Sequence, residues 1–354
     1  NIIYQIVMNF SEILFQWYAL NKRELPWRNT HNPYFIWLSE IILQQTRIEQ
    51  GLPYYLKFIN AFPKIADLAT AKEDKVLKLW QGLGYYSRAR NLHFSAKYIQ
   101  RYYNGVFPKT YTDILNLKGV GTYTAAAISS FSFGFPYAVV DGNVVRVLSR
   151  VFGIEIPFDT TLGKKKYQQL AQNLLDKKNP AENNQAIMEF GALQCTPKSP
   201  KCIFCPFISD CVAYNTNSIE KLPVKSKQTK IKKRFLNYLL IQNKNAVILG
   251  KRSTGIWKGL YEFPFIEYSS AKSEKLVVVS DKWVDFFKNS VYKVESISDE
   301  FIHKLSHQHI YAKFWIVNIE NFKLEKYSFV RNSKLKNYPV SRLTDKFLKE
   351  HNII

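Results

Sequence analysis

The N-terminal part of the chain carries the pattern of amphipathic helices. Near its start, apolar side chains recur at Phe10, Leu14 and Trp17 among polar ones, which is the spacing of one helix face. Prolines recur through the following segments and divide them into short helices, because proline ends or kinks a helix. Strict alternation of apolar and polar residues is scarce before Asn215. We therefore predict a mainly α region there.

In the C-terminal part, apolar and polar residues alternate as they do in β-strands. FLNYLLIQ, followed by NKN and AVILGKR, predicts a β-hairpin, and YAKFWIVNI predicts a later strand. A polar helix is predicted from about Ser341. Between the two patterns, the segment from Lys221 to Arg234 has seven basic residues and no acidic one, which is typical of an exposed linker. The predicted parts are a helical region at 1–218, a basic linker at 219–234 and an α+β domain at 235–354.

Composition and charge narrow the class of partner. The 354 residues are 46% hydrophobic, enough for about two domains with folded cores. The formal net charge of +22 favours a polyanion such as nucleic acid, although a solvated lysine-rich surface would explain part of it. The start of the chain lacks the pattern of an export signal, and no uncharged apolar run could cross a bilayer. We expect a cytoplasmic protein with no membrane partner.

All four cysteines lie in one proline-rich segment, CTPKSPKCIFCPFISDC, as Cys195, Cys202, Cys205 and Cys211. Disulfides are disfavoured, because the loops would be short and the expected compartment is reducing. Four thiolates in a loop can bind zinc or a 4Fe–4S cluster. Zinc sites usually use two C-x2-C pairs, whereas here a single such pair has uneven flanks. The spacing favours the cluster over zinc and over redox use.

Two acidic residues stand out by their surroundings. Glu40 lies in WLSEIILQQTRIEQ, a predicted helix, where apolar neighbours would keep it protonated longer. Asp141 in VVDGNVVRVLSR precedes a predicted helix, where a capping carboxylate stays ionised. Each has a simpler explanation, since a lone helical glutamate is usually solvated and Asp141 could serve only as a cap. Together, one protonated and one ionised carboxylate suit the cleavage of a glycosidic bond.

The stretch LKGVGTYTAAAI, from Leu117 to Ile128, predicts a tight turn that leads into a helix. Gly119 and Gly121 would let backbone N–H groups approach an anion, and the helix N-terminus adds partial positive charge. No Lys-Ser/Thr pair follows, as it would in a nucleotide-binding P-loop. We interpret the turn Gly119, Val120 and Gly121 as a contact with the DNA backbone.

A series of motifs runs through nearly the whole chain: LPWR, WLSEIILQQT, GLGYYSRARNLH, LKGVGTYTAAAI, VVDGNVVRVLSR, NQAIMEFGALQC, the cysteine segment, GIWKGLYEFP and HKLSHQHI. In this order they resemble the adenine DNA glycosylases of the MutY type, which belong to the helix-hairpin-helix superfamily together with endonuclease III. The resemblance implies a multidomain protein: an all-α catalytic region with a helix-hairpin-helix at 111–130 and an iron–sulfur loop at 195–211, and a Nudix-like lesion-recognition domain at 235–354. It also implies a bacterial, nucleoid-associated monomer that acts on duplex DNA containing adenine opposite 8-oxoguanine or guanine.

The resemblance implies a role for each matching residue. Glu40 would protonate an adenine flipped out of the duplex, Asp141 would stabilise the sugar cation or capture it covalently, and Asn143 would orient the carboxylates. The adenine pocket would comprise Arg23, Trp27, Arg28, Leu43 and Glu189. The opposite base would be read by Gln45, Thr46, Leu83, Tyr85, Ser306 and His307, with Tyr85 as a stacking wedge.

Tyr123 distinguishes between members of the superfamily. Bifunctional relatives carry a lysine at this place, which attacks the sugar and then nicks the strand, whereas a phenol cannot form a Schiff base. Tyr123 therefore implies a monofunctional glycosylase, and Lys118, on the turn, is assigned no such role. The chain departs from the family at Leu305, where a phenylalanine usually precedes the serine and histidine.

Three alternative functions fit the sequence less well. An endonuclease III-like lyase for oxidised pyrimidines is disfavoured by Tyr123 and by the large C-terminal domain. A non-catalytic iron–sulfur DNA-binding protein would gain nothing from Glu40 and Asp141 beside phosphates. A Nudix-type nucleotide hydrolase would need a glutamate-rich metal-binding signature, which is absent from Ala271 to Glu300.

Overall fold

A computed structural model of the protein describes residues 2–226, 231–288, 290–319 and 322–353, with side chains from residue 9 onward. The described part before residue 227 contains helices and no strand, which confirms the predicted mainly α region. No helix in the described residues is long and apolar enough to cross a membrane. The helices are α1 (Ile2–Asn21), α2 (Pro33–Leu43), α3 (Ile48–Ala61), α4 (Ile65–Thr70), α5 (Glu73–Leu79), α6 (Ser87–Tyr102), α7 (Tyr111–Leu115), α8 (Thr122–Phe133), α9 (Gly142–Phe152), α10 (Thr161–Leu174), α11 (Pro180–Leu193) and α12 (Val212–Asn215).

The local sequence explains where these helices begin and which face they bury. The predicted stripe of α1 is confirmed, because Phe10, Leu14 and Trp17 are all buried. α2 begins at a proline, and the side chain of Asn32 caps it by accepting a hydrogen bond from Tyr34 N (2.9 Å). Such a cap satisfies one of the N–H groups that a helix start leaves without an intrahelical partner.

The stretch WLSEIILQQTRIEQ forms two helices, so the prediction of one continuous helix is wrong. α2 ends at Leu43 and α3 begins at Ile48. Gln45 has a φ of +54°, a left-handed conformation that interrupts a right-handed helix, and Thr46 N donates to Leu43 O across the turn (3.1 Å). Gln45 and Thr46 therefore lie in a turn beyond the helix that carries Glu40.

The C-terminal part is built on a mixed sheet with strand order β3-β2-β1-β7-β5. In addition, β4 pairs with β1, β6 with β7 and β8 with β2. The β1–β7 pair is parallel and the other pairs are antiparallel. The elements are β1 (Lys232–Asn243), β2 (Ala246–Lys251), β3 (Tyr261–Glu262), β4 (Phe265–Tyr268), α13 (Glu274–Val278), α14 (Asp281–Phe287), β5 (Lys293–Ile297), β6 (Phe301–Lys304), β7 (Gln308–Asn318), β8 (Tyr327–Arg331) and α15 (Arg342–Glu350).

The predicted hairpin, later strand and final helix are confirmed as β1–β2, β7 and α15. The basic segment predicted as a linker is only partly described, since residues 227–230 lie outside the described residues. β1 begins inside that segment, because Lys232 and Lys233 pair with Gln308 and His309 of β7. The last three residues of the segment thus belong to the sheet.

The sheet separates two hydrophobic cores. Leu236, Tyr238 and Leu240 of β1 pack into one core, and Leu239 and Ile241 pack into the other, because successive side chains of a strand point to opposite faces. Helix α15 contributes to the first core, and α13 and α14 contribute to the second. Helices therefore cover both faces of the sheet, which explains why β1 can bury apolar side chains on both faces.

The chain divides into two compact units that do not follow a single cut in the sequence. The first unit comprises Asn1–Thr70 and Phe94–Gln228. The second unit comprises Ala71–His93 and Thr229–Ile354. The segment Ala71–His93, which carries the GLGYYSRARNLH motif, therefore groups with the C-terminal sheet.

Candidate functional site

The first compact unit contains a cavity of about 520 Å³. Side chains from the turn before α2, from α2 itself and from the starts of α8 and α9 meet there with side chains of α11. The cavity is large enough for a purine base. The predicted site residues that line it are Arg23, Trp27, Arg28, Glu40, Leu43, Thr46, Tyr123, Asp141, Asn143 and Glu189.

Glu40 is a carboxylic acid enclosed by apolar side chains. It lies on α2 between the buried residues Trp37 and Ile41 and is only 8% exposed. Burial raises the pKa of Glu40 to about 7; a hydrogen bond from the Tyr123 hydroxyl opposes the rise, and the charge of Asp141 adds to it. Since the ordinary pKa is near 4.5, Glu40 can hold a proton in neutral solution and release it to a bound base.

Asp141 caps the N-terminus of α9, as the sequence predicted. Its Oδ1 accepts hydrogen bonds from Asn143 N (2.9 Å) and Val144 N (2.8 Å), and its Oδ2 accepts one from Asn143 Nδ2 (2.8 Å). Burial raises the pKa of Asp141 above its usual range, whereas these hydrogen bonds and the charge of Arg146 lower it. Glu40 and Asp141 therefore differ in kind: Asp141 has donors that stabilise its anion on both oxygens, and its orientation is fixed.

Asn143 is held in turn by Arg146, a residue that the sequence predictions missed. Arg146 Nη2 donates to Asn143 Oδ1 (2.8 Å) and to Gly191 O (2.6 Å), and its Nε donates to Cys195 O (2.7 Å). The close approach of α9 and α11 needs a glycine, because a Cβ at Gly191 would lie 2.7 Å from Asn143 Cβ. The amide orientation of Asn143 is thus determined by a buried guanidinium.

Glu189 is clamped by two arginines. Arg23 donates from Nε to Oε1 (2.8 Å) and from Nη2 to Oε2 (2.7 Å), and Arg28 Nη2 donates to Oε2 (2.8 Å). Burial alone would raise the pKa of Glu189, but the hydrogen bonds and charges of the arginines outweigh it and lower the pKa to about 2. Glu189 is therefore a permanent anion, neutralised within the wall of the cavity, and it differs in this respect from Glu40.

Tyr123 lies in the first turn of α8 and lines the same cavity. Burial raises the pKa of Tyr123 well above its usual range, and the charges of Glu40 and Asp141 raise it further. Its hydroxyl therefore remains protonated and can only donate or accept hydrogen bonds. Lys118 is not among the residues that line the cavity; its ammonium group lies 4.5 Å from the centre of the Phe94 ring.

The predicted helix-hairpin-helix consists of α7, the turn Asn116–Gly121 and α8. Gly119 has a φ of +86°, a conformation that glycine adopts without strain. Val120 is buried and anchors the turn, whereas Gly119 and Gly121 are exposed. The backbone of the two glycines is therefore accessible to a ligand at the start of α8.

The four cysteine thiols lie close enough to influence one another. Burial raises the pKa of Cys205 to about 12, and the charges of Cys195, Cys211 and Cys202 add to the rise. Arg150 Nη1 lies 3.5 Å from Cys195 Sγ and can donate to it. Within the described residues, no group of three Cys, His, Asp or Glu side chains is already arranged to hold a metal ion. Four partly buried thiols in one loop are a donor set that can hold a zinc ion or an iron–sulfur cluster.

The residues predicted to read the opposite base are divided between the units. Thr46 lines the cavity of the first unit, and Gln45 is exposed there. In the second unit, Tyr85 is 48% exposed and its hydroxyl donates to Ser306 Oγ at 3.4 Å, and His307 is exposed beside Ser306. Leu83 is only 5% exposed and packs inside the unit. Leu305 is partly buried against the first sheet core.

Several residues that line the cavity were not predicted, among them Arg47, Glu49, Gln185, Met188 and Arg146. Arg146 could have been found, because an arginine inside the apolar run VVRVLSR is rarely buried without partners. The others carry no such signal. Their positions depend on the turn between α2 and α3 and on the packing of α11, which the pattern of the sequence does not determine.

Comparisons with known proteins agree with this architecture. The family described as HhH-GPD superfamily base excision DNA repair protein matches residues 38–177, and a NUDIX domain family matches residues 237–350. The solved structure of a thermostable thymine-DNA glycosylase aligns with a TM-score of 0.57 at 29% identity, over 61% of this chain and 100% of that one. An endonuclease III–DNA complex aligns with a TM-score of 0.52 over 60% of this chain and 97% of that one, but at 19% identity it supports the fold alone.

The helical fold, the buried acids and these matches define an enzyme of the DNA glycosylase class. The adenine DNA glycosylase of Buchnera aphidicola subsp. Baizongia pistaciae (strain Bp) is 38% identical over 317 residues, which cover 87% of this chain and 86% of that protein. The chain belongs to the adenine DNA glycosylase family.

Proposed function

We propose that the protein excises adenine from duplex DNA where adenine is mispaired with 8-oxoguanine or guanine, and that it leaves an abasic site without cutting the strand. The observation that carries this proposal is the pair of unlike acids in one cavity. Glu40 has a pKa of about 7, while three hydrogen bonds stabilise the anion of Asp141. A proton donor opposite a fixed anion is what cleavage of an N-glycosidic bond requires.

The proposed reaction begins with adenine flipped out of the duplex into the cavity. Glu40 donates a proton to the base, which then leaves as a neutral molecule. The carboxylate of Asp141 stabilises the positive charge that develops on the sugar as the glycosidic bond breaks, and Asn143 and Arg146 hold that carboxylate in one orientation. Water then adds to the sugar cation and gives up a proton to solvent, which leaves the abasic site. Tyr123 donates a hydrogen bond to Glu40 and provides no amine, so no Schiff base forms and the strand stays intact.

The wall of the cavity supports a role in binding the base. Trp27 and Leu43 offer apolar surface, and Arg23 and Arg28 retain N–H groups beyond those that bind Glu189. Glu189 acts in this proposal by fixing the two guanidinium groups, because both of its oxygens already accept hydrogen bonds from them. Outside the cavity, the turn Gly119, Val120 and Gly121 would bind a DNA phosphate through backbone N–H groups.

Recognition of the base opposite adenine is proposed for Gln45 and Thr46, for Leu83 and Tyr85, and for Ser306 and His307. The exposure of Tyr85 and its contact with Ser306 support a joint role for these two. 8-Oxoguanine carries a hydrogen on N7, where guanine offers a lone pair. A serine hydroxyl can accept from that N–H, although it can also donate to guanine, so its contribution to discrimination is modest.

We also propose that Cys195, Cys202, Cys205 and Cys211 hold a 4Fe–4S cluster. When bound, the cluster would cross-link the loop after α11 and supply a centre of potential redox chemistry. Arg150 supports this site, because it donates to Thr196 O (2.7 Å) and lies beside Cys195 Sγ. Anaerobically purified protein should contain about four iron atoms per chain, whereas one zinc atom and no iron would contradict the assignment.

A cleavage assay tests the main proposal. Duplexes with adenine opposite 8-oxoguanine, guanine or thymine are incubated with excess protein, and each sample is divided for treatment with or without alkali. We expect alkali-dependent breaks at adenine, fastest opposite 8-oxoguanine and slowest opposite thymine. Breaks without alkali would indicate a lyase, and equal rates for all three duplexes would contradict the proposed specificity.

A further inference from the structure

The second compact unit holds the segment Ala71–His93 on the C-terminal sheet through polar contacts. Asp74 accepts hydrogen bonds from Lys251 Nζ (2.6 Å) and from the Tyr261 hydroxyl (3.1 Å). At Gly259 an added Cβ would lie 3.1 Å from Leu77 Cδ1, so the GIWKGLYEFP motif approaches the segment closely. The motif therefore provides a surface on which part of the helical sequence is packed.

Gln81 makes the contacts nearest to the turn that carries Tyr85. Its Nε2 donates to Asp345 Oδ1 (2.8 Å), and its Oε1 accepts from Val340 N (3.2 Å). Lys78 Nζ donates both to Gln81 Oε1 (3.1 Å) and to Tyr338 O (3.1 Å). The Gln81 side chain thus contacts both the Asp345 side chain and the Val340 backbone, at the start of α15.

The turn after Gln81 has an unusual backbone that needs support. Gly82, Gly84 and Tyr85 have φ values of +97°, +82° and +47°. The left-handed conformation costs a non-glycine residue about 1 kcal/mol or more, and it persists where the surroundings impose it. Trp80 Nε1 (2.9 Å) and Arg88 Nη2 (3.2 Å) both donate to Gly84 O.

Tyr86 links the same turn to the same point of the C-terminal sequence. Its hydroxyl accepts from Gly82 N (3.2 Å) and lies 3.5 Å from Val340 O, to which it can donate. Gln81 and Tyr86 therefore contact the two backbone groups of Val340 from either side of the turn. This arrangement leaves Tyr85 exposed, with its hydroxyl 3.4 Å from Ser306 Oγ.

We propose that Gln81 is a positioning residue for specificity: it fixes the turn Gly82–Tyr86 on the start of α15 and so keeps Tyr85 beside Ser306. This role rests on the proposed preference for 8-oxoguanine opposite adenine. Gln81 is not among the residues that line the cavity, so its loss should alter the choice of opposite base and not the chemistry at Glu40.

The donor and the acceptor of the hydrogen bond between Gln81 and Asp345 can be exchanged by mutation to test this role. Gln81→Glu places two carboxylates together and should weaken the contact. Adding Asp345→Asn restores it, because the amide introduced at position 345 donates to the new carboxylate. Asp345→Asn alone should behave like the wild type, since an amide oxygen still accepts from Gln81. Lys313→Ala, which removes an ion pair with Glu274 in the same domain (2.8 Å), is the matched control.

Two readouts separate this role from the proposed function. In single-turnover excision, Gln81→Glu should lower the rate ratio of 8-oxoguanine·adenine to guanine·adenine by roughly 2- to 10-fold, as expected for one net hydrogen bond, and the double variant should recover it. Deuterium exchange of the turn Gly82–Tyr86 in the free protein should speed up in Gln81→Glu and slow again in the double variant.

The outcomes are distinguishable. A wild type without any preference contradicts the proposed function, and the exchange data then still decide whether Gln81 anchors the turn. Unchanged exchange in Gln81→Glu overturns the positioning role whatever the activity. A wild-type preference that Gln81→Glu retains in full also overturns it, as does a double variant that shows no recovery.

Discussion

The two compact units hold the side chains proposed for function in opposite ways. In the first unit, Glu40, Asp141 and Tyr123 line one cavity, and burial shifts the pKa of each. In the second unit, Tyr85 is half exposed and Ser306 is exposed, and a single 3.4 Å contact joins them. In the first unit the side chains are enclosed and their charges interact strongly. In the second unit the side chains are exposed and the contact between them is weak.

The difference follows from what each task demands. Proton transfer at neutral pH requires a carboxyl group whose pKa lies far from its ordinary value, and burial supplies that shift. Reading a base in a duplex requires side chains that remain accessible and that change partners when DNA arrives. Such contacts contribute little energy each, so we expect their geometry to depend on neighbouring residues such as Gln81 and Arg88.

The largest effect is expected from removing the proton donor. Glu40→Gln should lower the single-turnover rate of adenine release by more than ~10²-fold, because the amide keeps the shape of the side chain but cannot donate the proton. Binding to mismatched duplex should remain close to that of the wild type. Glu155→Gln, an exposed glutamate of the same unit, is the control and should leave the rate unchanged.

The same variant should be more stable than the wild type at high pH. The folded protein binds a proton at Glu40 with a pKa of about 7 against 4.5 for the ordinary group, so the wild type loses stability as the pH rises from 4.5 to 7. The loss is on the order of 3 kcal/mol for a shift of this size. Thermal melting should therefore show a gain for Glu40→Gln at pH 8 that shrinks towards pH 4.5, and an equal Tm difference at both pH values would contradict the buried acid.

An intermediate effect is expected at Tyr123. Tyr123→Lys introduces an amine into the cavity beside Glu40 and Asp141, where it can attack the sugar as a nucleophile. We expect a minority of the product to be nicked without alkali and to be trapped as a covalent adduct by borohydride. Efficient nicking and trapping by the wild type would instead show that the monofunctional assignment is wrong.

The smallest effect is expected at Ser306, in the second unit. Ser306→Ala removes one hydroxyl that can either accept or donate, so it should reduce the preference for 8-oxoguanine over guanine by up to about 10-fold, within the range for one hydrogen bond. Excision opposite guanine should change little. Ser270→Ala, at another exposed serine of the domain, is the control. A full preference in Ser306→Ala would place the reading of the lesion elsewhere.

Local patterns in the sequence were sufficient to predict most elements and to single out two acids of the cavity, Glu40 and Asp141. The cap of α9 by Asp141, the β1–β2 hairpin and the final helix all follow from near neighbours in sequence. The break between α2 and α3 was missed, because an apolar–polar pattern compatible with a helix continues through Gln45. A residue that adopts the left-handed conformation but is not a glycine leaves no signal in such a pattern.

The other features that the sequence did not predict involve partners distant along the chain. Arg146 reaches Cys195 O and Gly191 O, and Glu189 is neutralised by arginines more than 150 positions away. The grouping of Ala71–His93 with the C-terminal sheet likewise depends on contacts such as that of Gln81 with Asp345. Periodicity reports which face of an element is buried, but it does not identify the partner.

The proton held by Glu40 is central to the proposed mechanism, and a pH profile tests its role. Single-turnover adenine release from an 8-oxoguanine·adenine duplex is measured across pH 5.5–9 at constant ionic strength. Since the acid form donates the proton and the pKa of Glu40 is about 7, the rate should be nearly constant well below pH 7 and fall about tenfold per pH unit well above it. The residual activity of Glu40→Gln should not show this fall in rate above pH 7. A rate that rises through pH 7, or the same profile in Glu40→Gln, would contradict the role of Glu40 as the acid.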